Sequence, residues 1–152
     1  MTKRLIVTII YAGISCLLGL TWSARILFAM GVVLGFVFLL MDELFLYKYY
    51  FEKHTDDQVQ QLITRSALFG VIMIPLALFV ITSTGSRLGE GLIMGLILNL
   101  IIEMLEYRRP KVVFQQRFLA DTKIEIDQQQ VNLLILGAGL FFIFCNFLLI
   151  FN

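Results

Sequence analysis

The sequence is poor in the residues that make disulfides, metal sites and catalytic pairs: it has two cysteines, two prolines and one histidine among 152 residues. Two cysteines cannot form a disulfide framework, and Cys16 and Cys145 both lie in apolar runs, where a free cysteine behaves as a small hydrophobe. His54 has no second histidine with which to bind zinc, and no Walker loop or G-x-S-x-G elbow occurs. We therefore predict no metal, no cofactor and no enzymatic activity.

Charge is also scarce, whereas apolar residues are abundant. Charged residues make up 15% of the chain and hydrophobic residues 59%, which is more apolar surface than a domain of this length can bury in its own core. The formal net charge of +1 gives no reason to expect a nucleic-acid partner. The lipid bilayer is therefore the expected surroundings of most of the chain.

Five apolar runs have the length of a membrane-spanning helix, which is about 20 residues. They cover residues 5–23, 26–46, 66–83, 88–106 and 131–151. The sequence therefore predicts an all-α, polytopic membrane protein, in which residues 1–152 form a single integral membrane domain with five transmembrane helices. Short connections after the first and third runs predict two helical hairpins, and the fifth helix stands alone.

The distribution of lysine and arginine predicts the orientation, because cytoplasmic loops carry an excess of these residues. With the N-terminus in the cytoplasm, the inner segments hold ten of the twelve lysines and arginines, and the outer segments hold only Arg25 and Arg87. We therefore predict an integral membrane protein with a cytoplasmic N-terminus and a C-terminus outside.

Two of the runs share a frame that recurs after sixty positions. Residues 31–48 read GVVLGFVFLLMDELFLYK, and residues 91–108 read GLIMGLILNLIIEMLEYR. Both contain two glycines four positions apart, then a glutamate, a tyrosine and a final basic residue. A tandem duplication explains the match, and so does convergence of two helices that end at the same membrane interface, so both explanations stay open.

The glycines of this frame predict helix packing, because a pair of small residues four positions apart lets another backbone come close inside the membrane. Gly31 and Gly35 form one pair, and Gly91 and Gly95 form the other. Gly137 belongs to a further patch of small residues in the last run. Through these faces we expect the chain to form a homo-oligomer or to bind another membrane protein.

Polar side chains near the inner ends of the two runs form the candidate site. Glu43 and Glu103 occupy equivalent positions, and Asn99 lies one turn from Glu103. If these side chains stay at the rim of the bilayer, they are interfacial ion pairs with basic neighbours such as Lys48 and Arg108. If they face the interior of the bundle, they form a site for a proton or a small cation.

Two hypotheses about function follow from these two placements. In the first, the protein is a small non-enzymatic membrane subunit or scaffold, and its acidic residues anchor the helix ends. In the second, it is a channel or secondary transporter for a proton or small cation, and Glu43, Asn99 and Glu103 are the site. Glu43 and Glu103 pointing outward to the headgroups, with arginine or lysine partners, favours the first hypothesis, whereas their convergence on an internal cavity with no paired cation favours the second.

Three further features predict local structure. The segment KVVFQQRFLADTK after Pro110 has most of its apolar side chains on one side, which predicts a short amphipathic helix on the membrane surface. Asp127 is placed to cap the last helix. Asn146 is placed to hydrogen-bond to another helix near the outer side of the membrane.

Overall fold

The computed structural model describes residues 2–15, 22–42, 44, 63–83, 85–119 and 126–151. In these ranges the chain is all-helical, with six α-helices, one short 3-10 turn at Ile63–Arg65 and no strand. The helices, in chain order, are α1 Thr2–Ser15, α2 Trp22–Met41, α3 Ala67–Ser83, α4 Arg87–Glu106, α5 Lys111–Phe118 and α6 Gln128–Phe151. Of the residues singled out in the sequence, four lie outside the described residues: Cys16, Glu43, Lys48 and His54.

The described helices agree with an all-α protein that has helices of membrane-spanning length. Three of them, α2, α4 and α6, have 20, 20 and 24 residues and are long and apolar enough to cross a membrane. The apolar helix α3 has only 17 residues, and the described part of α1 has 14. Length and composition within the described residues therefore support three of the five predicted spans.

The central helix is α4, and α2 packs on it through glycines. Of the most apolar stretch of α4, 50% is buried, compared with 11% for α6. A Cβ atom built on Gly35 would lie 2.5 Å from the carbonyl oxygen of Leu92, and Cβ atoms on Gly31, Gly91 and Gly95 would also collide with the backbone of the facing helix. Because Gly31 faces Gly91 and Gly35 faces Gly95, the two helices run in the same direction and in register. These four glycines therefore pack two helices of one chain together, in place of the contact with another protein that was predicted for them.

The end of the bundle where α1 begins and α4 ends, which we call the inner end, is covered by α5. Phe114 and Phe118 of α5 are buried against Val131 and Ile135 of α6. Val112 on the same helix is exposed. A helix is therefore present where the amphipathic helix was predicted, but its apolar side chains do not share one face: Phe114 and Phe118 pack on protein, whereas Val112 and Val113 are exposed.

Asp127, the predicted cap of α6, makes two hydrogen bonds at the start of the helix. The carboxylate of Asp127 accepts a hydrogen bond of 2.7 Å from the backbone N–H of Gln128. The backbone N–H of Asp127 in turn donates to Oε1 of Gln130 over 2.9 Å. This second bond is the one that a capping box makes back to the residue before the helix.

The opposite end of the bundle, the outer end, is held by a tight turn and by a bond between helices. Gly85 lies between α3 and α4 with φ of 57°, a left-handed conformation that glycine adopts without strain. The side chain of Ser86 then caps α4 by accepting from the backbone N–H of Gly89. As predicted for Asn146, its Oδ1 accepts a hydrogen bond of 2.8 Å from the hydroxyl of Tyr11, which joins α6 to α1.

Candidate functional site

Glu103 is the centre of a buried charge cluster in the last turn of α4. Its side chain is 0% exposed, and both carboxylate oxygens face arginines. Oε1 lies 2.6 Å from Nε of Arg65 and 2.7 Å from Nε of Arg117, and Oε2 lies 3.0 Å from Nη1 of Arg4. Hydrogen bonds between charged groups at these distances belong to the strong class. One carboxylate therefore joins three separate parts of the chain to α4.

Each of the three arginines comes from a different element. Arg4 lies in the first turn of α1, Arg65 ends the 3-10 turn that precedes α3, and Arg117 lies in the last turn of α5. The guanidinium carbon of Arg117 also lies 4.3 Å from the ring centre of Tyr107, within the range of a cation–π contact.

A carboxylate in the last turn of a helix is opposed by the helix dipole. The positive charges around Glu103 offset that cost.

Two further carboxylates balance the charge of the arginines. Oδ2 of Asp42 lies 3.5 Å from Nη1 of Arg65 and accepts a hydrogen bond of 3.1 Å from the backbone N–H of Thr64. Oε2 of Glu106 lies 3.1 Å from Nε of Arg4. Because an unpaired buried ion costs several kcal/mol, the balance of three positive and three negative charges matters for stability. We call these six residues the inner charge cluster: Arg4, Asp42, Arg65, Glu103, Glu106 and Arg117.

Asn99 lies one turn deeper in α4 and belongs to a neutral group of hydrogen bonds. The residue is buried, and its Nδ2 donates to Oγ1 of Thr8 over 3.0 Å and to the carbonyl of Gly95 over 2.8 Å. The hydroxyl of Thr8 donates to the carbonyl of Arg4 over 2.8 Å. Asn99 therefore links α4 to α1, and within the described residues its hydrogen bonds do not include Glu103.

The structure places Asn99 and Glu103 inside the bundle, but it gives Glu103 partners other than the predicted ones. The predicted pairing with Arg108 is wrong, because α4 ends at Glu106 and the exposed Arg108 lies in the turn that leads into α5. The true partners lie 99, 38 and 14 positions away in the sequence. Their sequence signal is that Arg4 and Arg65 border predicted spans on the side of the membrane predicted for Glu103, whereas Arg117 lies in the predicted amphipathic segment on that side.

The remaining predicted residues are Glu43 and Gly137. Because Glu43 lies outside the described residues, its meeting with Glu103 stays a prediction. The acid that the structure brings to the cluster from the end of α2 is Asp42. A Cβ atom built on Gly137 would meet nothing within 4 Å, so the described residues provide no close helix contact for this glycine.

A cavity of about 370 Å³ lies between α3, α4, α5 and α6. Its walls are mostly apolar and include Met73, Ile97 and Phe141. Polar residues line it at residues 64–66, of which Arg65 also belongs to the inner charge cluster. The cavity is therefore apolar along most of its lining and polar at one end.

The described residues contain no group of three or more histidine, cysteine, aspartate or glutamate side chains placed to hold a metal ion. The inner charge cluster is therefore a set of ion pairs among the chain's own side chains. Comparison of the chain with protein-family models, with curated proteins and with solved structures found no match.

Proposed function

We propose that the protein is a small non-enzymatic membrane subunit or scaffold, in which the inner charge cluster clamps the helix ends together. The observation that carries this proposal is that both carboxylate oxygens of the buried Glu103 bind guanidinium groups. Arginine keeps its charge in proteins, so a cation approaching Glu103 would meet three positive charges. A transport site needs a carboxylate that exchanges its partners, whereas this one is fully engaged.

The proposal includes five membrane spans with the inner end in the cytoplasm. The start of α1, the end of α2, the start of α3 and the end of α4 all contribute to the inner charge cluster or adjoin it. Two hairpins of spanning helices produce this alternation of starts and ends. With 17 residues, α3 is at the lower limit of the roughly 17–25 that cross a bilayer. The excess of basic residues at this end supports a cytoplasmic location.

The surface of α6 supports a role in association. This helix is peripheral, and in a bilayer its apolar surface faces either lipid or another helix. We expect a homo-oligomer or a complex with another membrane protein to use this surface. Its exposed large side chains are Leu133, Leu134, Leu136, Leu140, Ile143, Phe144, Phe147, Ile150 and Phe151.

The alternative function is a channel or secondary transporter for a proton or small cation. It is favoured by the burial of both Asn99 and Glu103 on α4, because polar groups inside a membrane bundle often mark ion pathways. It requires the arginines to leave Glu103 during each transport cycle.

Flux measurements in liposomes separate the two functions. The purified protein is reconstituted, and proton and potassium flux are compared with those of protein-free liposomes. We expect wild type and Glu103→Gln to match the protein-free rate. The subunit proposal would be overturned if the wild type showed flux above the protein-free rate, and if this flux were lost in Glu103→Gln but kept in Glu106→Gln. In parallel, the mass of the particle in lipid nanodiscs is expected to exceed that of one copy, and a monomer without any bound protein would count against a subunit.

A further inference from the structure

The short helix α5 is held at the inner end of the bundle by its contacts. It has eight residues, fewer than any other described α-helix. Isolated helices shorter than about 12–15 residues are marginal in water, so the position of α5 depends on what it touches. Its described contacts include an apolar contact with α6 and a charged contact with the end of α4.

The apolar contact is made by two phenylalanines. Phe114 and Phe118 are 0% and 4% exposed, and their ring centres lie 4.9 Å apart. They pack on Val131 and Ile135 of α6. Both also line the cavity between α3, α4, α5 and α6. Helix α5 therefore closes the cavity at the inner end and covers the first turns of α6.

The charged contact is made by Arg117. Its Nε and Nη2 lie 2.7 Å and 2.6 Å from Oε1 of Glu103, and its guanidinium carbon lies 4.3 Å from the ring centre of Tyr107. Both partners are at the end of α4, four positions apart, which is the spacing of neighbours on one side of a helix. This contact therefore holds α5 on the end of α4.

Glu103 keeps an arginine on each of its oxygens when Arg117 leaves. Oε1 remains 2.6 Å from Nε of Arg65, and Oε2 remains 3.0 Å from Nη1 of Arg4. Breaking a buried ion pair is costly mainly because it leaves a buried charge without a partner. The departure of Arg117 does not leave Glu103 in that state.

Arg117 is also the least buried of the three arginines around Glu103. Its side chain is 14% exposed, compared with 7% for Arg4 and 0% for Arg65. Its departure leaves the cluster with one negative charge in excess, and Glu106, whose side chain is 27% exposed, brings part of that charge into contact with solvent. Arg117 is therefore the arginine that leaves the cluster most readily.

We propose that α5 is a lid, which opens when Arg117 leaves Glu103 and then uncovers the inner end of the cavity and the first turns of α6. The rest of the inner charge cluster stays closed, so α1, α3 and α4 keep their arrangement. This opening goes beyond the proposed function and does not depend on it. Because both oxygens of Glu103 stay paired, the open lid creates no free carboxylate for a cation.

A buried cysteine under α5 reports the opening. Val131→Cys places a thiol at a position that is 0% exposed beneath the phenylalanines of α5, and cysteine is itself a small hydrophobe. Ile81→Cys is the control reporter, because Ile81 is also 0% exposed but lies near the outer end of α3, away from α5. Both variants are made in a chain without Cys16 and Cys145, reconstituted in lipid nanodiscs and treated with a membrane-impermeant maleimide.

The labelling rate follows the fraction of time that α5 is open, because a buried thiol reacts only while it is uncovered. We expect Arg117→Gln to raise the rate at Val131→Cys about tenfold, since it removes charged hydrogen bonds to Glu103. We expect it to leave the rate at Ile81→Cys unchanged. Arg109→Gln is the matched control, because it removes the same charge from the exposed turn before α5, and we expect it to change neither rate.

Three labelling results would overturn the lid. They are an unchanged rate at Val131→Cys in Arg117→Gln, an equal rise at both reporters, which shows loosening of the whole bundle, and an equal rise caused by Arg109→Gln. If circular dichroism shows that Val131→Cys fails to fold, Ile135→Cys in the same contact replaces it.

Hydrogen exchange of the chain without a cysteine reporter is the second measurement. We expect Arg117→Gln to speed exchange in α5 about tenfold and to leave α1 and α4 unchanged. Exchange in α5 that does not change selectively would also overturn the lid. Flux through liposomes tests the proposed function separately, so failure of one proposal is distinguishable from failure of the other.

Discussion

The Nε atom of Arg65 lies 2.6 Å from Oε1 of Glu103, and both side chains are 0% exposed. This ion pair joins the 3-10 turn that precedes α3 to the last turn of α4. At the outer end, the turn at Gly85 connects the same two helices. The α3–α4 hairpin is therefore closed at both ends, by the chain itself outside and by a buried ion pair inside.

Removal of the Glu103 carboxylate is expected to destabilise the protein strongly. Glu103→Ala leaves the positive charges of the cluster without their shared anion, and breaking a buried ion pair costs about 3–5 kcal/mol. The matched control is Glu106→Ala, because the Glu106 side chain is 27% exposed and its ion pair with Arg4 is at the edge of the cluster. We expect that control to cost about 1 kcal/mol or less. Equilibrium unfolding in detergent measures the loss of unfolding free energy in both variants. Equal losses would contradict the proposal that Glu103 holds the helix ends together.

Substitution of the glycines between α2 and α4 is expected to separate these helices. A Cβ on Gly35 would lie 2.5 Å from the carbonyl oxygen of Leu92, so Gly35→Ala forces the backbones apart. Overpacking of this kind costs about 1–3 kcal/mol. Gly13→Ala is the control, since a Cβ there meets nothing within 4 Å, and alanine in a helix gains up to about 1 kcal/mol over glycine. Thermal unfolding in one detergent compares the two, and a neutral Gly35→Ala would count against the close contact.

The hydrogen bond between Asn99 and Thr8 is expected to contribute a modest coupling between α4 and α1. Hydrogen bonds between membrane helices contribute on average about 0.6 kcal/mol and at most about 1.7 kcal/mol in double-mutant cycles. A cycle of Asn99→Leu and Thr8→Val therefore predicts a coupling energy in that range. Strictly additive effects would show that the two side chains do not interact in the membrane.

The proposed topology predicts which residues react with a membrane-impermeant thiol reagent. In a background without Cys16 and Cys145, Ser83→Cys at the outer end is expected to react in intact cells. Arg109→Cys in the turn after α4 is expected to react only after permeabilisation. The two positions are exposed, so burial does not prevent labelling at either one. Labelling of both from the same side would contradict the spanning hairpin.

The sequence predicts the helices and the glycine contact because both depend on local properties. High hydropathy over about 20 residues predicts a membrane-spanning helix. A pair of glycines four positions apart predicts a helix face that another backbone can approach. Each of the two helices is the second of a predicted hairpin, so the sequence also predicts that they run in the same direction, as the facing pairs Gly31–Gly91 and Gly35–Gly95 show. Local patterns do not show which helices are neighbours, however, so the partner of each glycine pair comes only from the structure.

The ion pairs of Glu103 show where prediction from the sequence ends. The nearest cations in the sequence, such as Arg108, lie beyond the end of α4, whereas Arg4 is 99 positions away and folds onto Glu103. The positions of basic residues along the chain predict on which side of the membrane each loop lies, because this orientation depends only on the composition of the loops. Which charged side chains form ion pairs depends on how the helix ends come together in three dimensions. The residue pattern within one segment does not predict this.

A double-mutant cycle between Arg65 and Glu103 tests the clamp most directly. Removing both residues leaves the Arg4–Glu106 ion pair together with Arg117 and Asp42, so the formal charges of the cluster still balance. The account predicts that Arg65→Met and Glu103→Leu together cost less than the sum of the single variants, with a coupling energy of about 2–3 kcal/mol in detergent unfolding. Additive costs within about 0.5 kcal/mol would contradict it.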